Sequence, residues 1–350
     1  MGQKDTLKTI QLLKASKRPA EVAAGPLPGS TVWQWAERTT ARPPRQTDQP
    51  APLTQGSQQP SGGFVTMLAR RQNMARAIPV TSVFAASFVL HALALLPNCA
   101  PAKAVASKTI NFILEEQGRD GLWRGLASPK VPPDIDSICC VLASFGKWNV
   151  TLDYDLFIRR LLGYRLDGGA FFTFVLDTDP GIVPLQNDID WVVNANVLFF
   201  FSSLGHQLPE VEAYLEEVVV RDLFTGGSKY YPSPFAFTYC LSRAVLDGRA
   251  QNLAKLLDRL SWYVRSAQES DPGFGSPLDA ALAVATLLNC GTEPHRLEKD
   301  VGRLVEIQER DGGWPLACFF EGPQGYYYGS RALTTAVAME ALAKYQSRQP

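Results

Sequence analysis

From about Gly63 onward the chain repeats itself, and a repeat of this length restricts the fold more than any single residue does. Each unit reads as a loop with glycine and an aromatic, an apolar helix, a polar break and an amphipathic helix. The loops are QGRDGLW at 117–123, LDGGAFF at 166–172, GGSKYYPSPFAF at 226–237, SDPGFGSP at 270–277 and RDGGWP at 310–315. SICCVLASF, VVNANVLFFF, FTYCLSRAV, LDAALAVATLL and ALTTAVAMEALA supply five apolar helices, and VFAASFVLHALALL, from Val83 to Leu96, a sixth. Segments such as KAVASKTINFILEEQ and HRLEKDVGRLVEIQE carry apolar residues at helical spacing on one face only. Counting GFVTMLARRQ at 63–72, about six amphipathic helices alternate with the six apolar ones. A helix apolar all round must be surrounded by protein, whereas an amphipathic one faces water. The pattern predicts an all-α fold, an α6/α6 toroidal barrel of helical hairpins over residues 63–350. An open helical solenoid is the alternative, although it would not need every inner helix to be so uniformly apolar.

Residues 1–62 are of another kind. LKTIQLLKASK has the pattern of one short amphipathic helix, but ARPPRQTDQPAPLTQGSQQPSGG is rich in Pro, Gln, Ser and Gly. Such a segment buries too little apolar surface to offset the entropy of ordering it, so a flexible tail is expected. With 34 basic and 34 acidic residues the chain is balanced, and a nucleic-acid partner is not expected. Its six cysteines form no CxxC pair and lie mostly in apolar helices, as reduced thiols of a cytoplasmic protein would. The run Val83–Leu96 is too short to span a bilayer and carries His91. No basic segment followed by an apolar block marks a secretory signal, and the opening MGQKDT has the form of a myristoylation site, a pattern common by chance.

Two loops are more specific than the rest. ILEEQGRDGLW and IQERDGGWP each place Gln shortly before Asp-Gly-x-Trp, directly after an amphipathic helix. They resemble the Gln-Trp repeat of the terpene cyclase and protein-prenyltransferase β-subunit superfamily, also called the prenyltransferase and squalene oxidase repeat. The resemblance implies that the Gln caps a helix end while the Trp ring packs over it. YYYGSRALTTAVAMEALA and NANVL also look like inner helices of that superfamily. Within it, PPDIDS at 132–137 is similar to the Asp-x-Asp-Asp or Asp-x-Asp-Thr signature of class II terpene cyclases. These protonate an alkene or epoxide to start a carbocation cascade. By resemblance the acid is Asp136, with Asp134 as its neighbour and Ser137 at the fourth position, where the signature has Asp or Thr. An alkene is so weak a base that its acid must arrive protonated. Burial and a neighbouring carboxylate both favour the neutral carboxyl, and aromatic rings around it stabilise the cation. Aromatics at or beside the inner helix starts are Trp123, Trp191, Phe235, Tyr239, Phe274, Trp314 and Tyr326 to Tyr328. Two-barrel members of the superfamily share a cavity between barrels; this chain has room for one.

Each motif also has a plainer reading. Asp134 and Asp136 suit the cap and first turn of a helix, and Asp188 and Asp190 stand at the equivalent point one repeat later. Asn194 either bonds a loop backbone or lines the cavity, and Asn196 reads as structural. Arg331, Arg243 and Lys229 would suit a substrate diphosphate, with Mg²⁺ if one is bound, or local salt bridges. Trp123 and Trp314 suit repeat packing as well as substrate contact, and His91 a satisfied core histidine. The zinc-dependent prenyltransferase branch needs an Asp-x-Cys pair, which the chain lacks. Apolar inner helices argue against a glycosidase groove. The expectation is a class II-like isoprenoid cyclase with Asp136, Asp134 and Ser137 as catalytic group. Trp191, Asn194, Tyr239, Trp314, Tyr327 and Arg331 are the expected substrate contacts. The alternative is a non-catalytic barrel that binds a hydrophobic ligand, a protein or a membrane surface.

Overall fold

In the computed structural model, residues 58–96, 99–126, 131–176, 187–270, 273–322 and 325–349 are described. Among them, six helices coincide with the apolar segments of the repeat: α1 (Val83–Leu93), α3 (Ile135–Lys147), α5 (Trp191–Ser203), α7 (Pro234–Leu246), α9 (Pro277–Asn289) and α11 (Arg331–Ser347). Five amphipathic helices intervene: α2 (Ala100–Glu115), α4 (Tyr154–Leu162), α6 (Pro209–Val220), α8 (Leu257–Ser270) and α10 (Glu298–Glu306). Every odd-numbered helix starts behind a Ser or Asp: Ser82, Asp134, Asp190, Ser233, Ser276 and Ser330. All but Ser330 accept a backbone N–H of the first turn, satisfying donors that the helix leaves open. Pro234 and Pro277 follow two of these caps at the first helical position, where the missing N–H costs nothing.

The odd-numbered helices pack in sequence, α1 on α3, α3 on α5, α5 on α7, α7 on α9 and α9 on α11, and α11 packs back on α1. Away from their ends their residues are mostly buried on all sides, with Ala, Ser, Cys and Thr allowing close approach. The even-numbered helices lie outside them, α2 against α1, α6 against α5 and α10 against α9.

The two Gln-Trp loops have the same geometry. Gln117 Nε2 donates to Gly121 O and Gln308 Nε2 to Gly312 O, both at 2.8 Å. Trp123 Nε1 donates to Ile113 O and Trp314 Nε1 to Leu304 O, both at 2.7 Å, so each indole closes the last turn of the outer helix before it. Gly121 and Gly312 sit at φ of +77° and +85°, where a Cβ would be strained. Both rings are fully buried, and Trp123 stacks on Phe157 of the next outer helix.

An all-α fold is corrected by a four-stranded antiparallel sheet of order β2-β1-β4-β3. GFVTMLARRQ, expected as a helix, contains β1 (Val65–Ala69), paired with β2 (Ile78–Thr81) and β4 (Tyr326–Gly329); β4 also pairs with β3 (Cys318–Gly322). The short segment fits both periods, and the decisive partner lies at the far end of the chain, Leu68 opposite Tyr328. Ser330 Oγ, instead of capping α11, donates to Val65 O at 2.8 Å and ties the two ends of the domain together. Residues 58–62, expected to end the tail, form a turn on α2, with Gln58 Nε2 donating to Val105 O and Thr109 Oγ1. The rest of the expected tail lies outside the described residues.

Candidate active site

The first turns of α1, α3 and α5, the loop before α7 and the sheet surround a cavity of about 310 Å³. Seven aromatic residues line it: Phe84, Phe174, Tyr230, Tyr231, Phe320, Tyr326 and Tyr328. Its charged lining, among the described residues, is acidic throughout: Asp134, Asp136 and Glu321.

The two aspartates of PPDIDS, two residues apart, have different tasks. Asp134 is the cap of α3. Its Oδ1 accepts Ser137 N and its Oδ2 accepts Gly125 N, both at 2.7 Å. Burial raises its pKa, while these donors and the Ser137 hydroxyl pull it down. Ser137 thus acts on Asp134 and not on Asp136. Asp136, in the first turn, is 5% exposed and caps nothing. Its Oδ1 accepts Asn196 Nδ2 at 2.7 Å, and its Oδ2 meets the Tyr231 hydroxyl. Burial pushes its carboxyl up to about 7, with the charges of Asp134 and Asp190 adding to the rise and the Tyr231 and Asn196 hydrogen bonds opposing it. A carboxyl that keeps its proton near neutral pH, in an aromatic cavity, has the state that alkene protonation requires.

Tyr231 is held by the turn that precedes α7. Ser228 N donates to Tyr231 O (2.7 Å) and Tyr231 N to Ser228 Oγ (3.2 Å). Gly227, at φ +83°, allows this turn, since a Cβ there would come within 2.6 Å of the Tyr231 and Pro232 carbonyl oxygens. Asp190 caps α5 through Oδ1 and accepts Tyr230 N through Oδ2, so the second aspartate pair fastens the same turn. Asp188 pairs with Lys229 at the surface.

Of the other residues read from the sequence, several lie away from the cavity. Asn194 bonds the loop backbone at Phe171 through both ends of its amide, and Asn196, read as structural, is the one on Asp136. Tyr239 is fully buried and donates to Glu340; Trp314 closes α10 as described. Trp191 is outside the lining, its indole N–H buried without a hydrogen-bond partner among the described residues. Tyr327 faces away because side chains alternate along β4, which sends Tyr326 and Tyr328 into the cavity. Arg331, expected at a basic rim, is paired with Glu309 and Asp311 and does not line the cavity, and Arg243, read as suited to a diphosphate or a salt bridge, is 2% exposed in the last turn of α7. Sequence reading missed Phe84, Phe174, Tyr230, Tyr231, Phe320 and Glu321. Position was the available signal for Phe84, Tyr230 and Tyr231, at or just before the starts of α1 and α7; Phe174 lies in a loop and Phe320 and Glu321 on β3, where the repeat gives none.

At the far end of the inner helices His91, Asp247 and Glu340 bring their donor atoms within 4.8 Å of one another. Lys344 Nζ already stands on both carboxylates at 2.8 Å. Burial lowers His91 to about 4, leaving a neutral imidazole there.

The fold is that of the type II terpene cyclases. A single-residue variant of MstE of Scytonema, a type II terpene cyclase solved with its substrate geranylgeranyl dihydroxybenzoate, superposes with a TM-score of 0.66 at 14% identity, over 85% of this chain and 95% of that one. A protein from Actinoplanes superposes equally well at 17% identity (83% and 96% covered). The ent-copalyl diphosphate synthase of Streptomyces platensis matches with a TM-score of 0.56 at 19% identity, over 75% of this chain and 50% of that one. In sequence, a drimenol cyclase of Aspergillus calidoustus is 31% identical over 171 residues, 46% of this chain. The match takes in 31% of that relative, so the chain spans about a third of its length. No protein-family profile matches the chain. Among the described residues no helix is long and apolar enough to cross a membrane.

Proposed function

We propose that this protein is a type II terpene cyclase that starts a carbocation cyclisation by proton transfer from Asp136 to an alkene or epoxide of a small isoprenoid. One observation carries the reading: the carboxyl of Asp136, held protonated to about pH 7 by burial, opens on a cavity walled by seven aromatic residues. The cyclic packing of the six apolar helices supports an α6/α6 toroid with that cavity at one mouth. The fold neighbours and the drimenol cyclase support the same class of reaction.

In this reaction, with an alkene substrate, the Oδ2–H bond of Asp136 breaks and its proton joins the CH carbon of the terminal double bond, leaving a tertiary cation on its dimethyl carbon. Internal double bonds of the chain then close carbon–carbon bonds on that cation while the ring faces of the wall stabilise it. Loss of a proton ends the sequence, so product and substrate have the same composition. Asp134, fixed by two backbone donors, keeps a partner charge beside the acid. At about 310 Å³ the cavity lies at the small end of ligand sites, which run from roughly 300 to 1,000 Å³.

The test is incubation of the full chain with farnesyl and geranylgeranyl diphosphates, squalene and their terminal epoxides, followed by mass spectrometry. The expected result is a cyclic isomer of one of them, absent with Asp136→Asn. Binding of these compounds without isomerisation of any would overturn the proposal in favour of a ligand-binding barrel.

A further inference from the structure

We propose that Arg243, remote from the cavity lining, is a positioning residue: by fixing the side-chain amide of Asn196 it decides which oxygen of Asp136 carries the proton. This rests on the reading of Asp136 as the acid. Asn196 touches Asp136 Oδ1 through Nδ2 (2.7 Å), and its Oδ1 accepts Arg243 Nη2 at 2.6 Å. The two ends of an amide have nearly the same shape, so in an apolar core either could face the acid. Turned the other way, the amide oxygen would take the acid's proton into a hydrogen bond and hold it. A guanidinium has five donors and no acceptor, so it receives only the oxygen end of Asn196. Nδ2 is then left for Asp136, and since it can only donate, Oδ1 of Asp136 must serve as the carbonyl oxygen. The proton is left on Oδ2, at the Tyr231 hydroxyl on the cavity wall.

Arg243 is itself held rigidly. Its guanidinium carbon lies 5.1, 4.6 and 4.9 Å from the ring centroids of Phe88, Phe199 and Tyr239. Nη1 donates to the Tyr239 hydroxyl at 3.2 Å, and that hydroxyl donates to Glu340 at 2.7 Å. Lys344 and Asp247 complete the chain of contacts. Arginine keeps its proton, so this chain orients and does not conduct. A buried guanidinium that bonds an amide and a hydroxyl, with no carboxylate paired directly to it among the described residues, is a costly core residue, and an apolar side chain would serve packing better. Such a breach of local preference marks functional sites.

The experiment reads the carboxyl C=O stretch of Asp136 by infrared difference spectroscopy against Asp136→Asn, in full-length protein, well below its titration range. The wild type, Arg243→Met, Asn196→Leu and the double variant form a cycle. The band should move or split in Arg243→Met, and adding Arg243→Met to Asn196→Leu should change nothing further. A band indifferent to Arg243→Met, or moved alike with and without Asn196, overturns the proposal. Should Arg243→Met fail to fold, Arg243→Gln, which offers an acceptor as well as donors and so no longer selects one end of the amide, enters the same cycle with the same criteria. With a prenyl substrate that the wild type converts, kcat should fall on the order of 100-fold while KM stays within about twofold, and the loss should not add to that of Asn196→Leu. The infrared cycle decides on Arg243 even if no prenyl substrate is converted, so the two proposals fail separately.

Discussion

Replacing Asp136 by asparagine should stabilise the protein while silencing it. The folded carboxyl titrates near 7 and the unfolded one near 3.8, because burial penalises the charged form. An acid raised in this way gives the folded state an extra proton between these two values, so stability is lost as pH rises through that window. About three pH units at about 1.4 kcal/mol each give about 4 kcal/mol, all of it lost above pH 7. Asparagine has the same shape and no charge to bury. Its oxygen can accept Asn196 Nδ2 and its amide can donate to the Tyr231 hydroxyl, so both contacts survive. Thermal or urea unfolding of the two proteins across pH 3 to 9 should therefore show no difference at the acid end. The variant should gain progressively, by about 4 kcal/mol or on the order of 6 °C at the alkaline end. A difference that does not vary with pH, or a variant less stable at pH 8, would refute the claim that Asp136 is a desolvated, proton-holding group.

Other expectations follow from the same contacts. Tyr231→Phe removes a hydrogen bond that lowers the Asp136 pKa, so the alkaline limb of the rate profile should move to higher pH. Asp134→Asn keeps an acceptor for Ser137 N but removes a charge that raises Asp136, so the same limb should move to lower pH. Opposite movements in one pH-rate series check both. Trp123→Ala should cost about 3–5 kcal/mol in chemical denaturation, since the ring is fully buried between Phe145 and Phe157. Gln117→Ala, which loses the single bond to Gly121 O, should cost about 1 kcal/mol.

The helical part of the fold was legible because it is written locally. Apolar runs, Ser or Asp caps and Gln-Trp loops lie within one repeat each, and all six inner helices stand where their residues place them. The sheet was not legible, because β1 is short and its partner β4 comes some 260 residues later. The same holds for the site. Asp136 is named by its motif, but its partners Asn196 and Tyr231 lie 60 and 95 residues away, and nothing in their own neighbourhood sets them apart. Asn194 and Asn196 show the limit most clearly. They are two residues apart on one helix, and only the packing of α3 beside α5 turns the second one to the acid. The conspicuous tryptophans belong to the outer loops, so the aromatic wall is built instead from phenylalanines and tyrosines near the inner helix starts and on the sheet.

Conversion in deuterium oxide of a prenyl substrate that ends in an alkene, not an epoxide, tests the central claim most directly. Proton delivery from an exchangeable carboxyl predicts a cyclic product with a single carbon-bound deuterium at the CH carbon of the former terminal double bond, and no product from Asp136→Asn. A cyclic product free of deuterium would mean that the cation arises by loss of a leaving group, and Asp136 would not be the initiating acid.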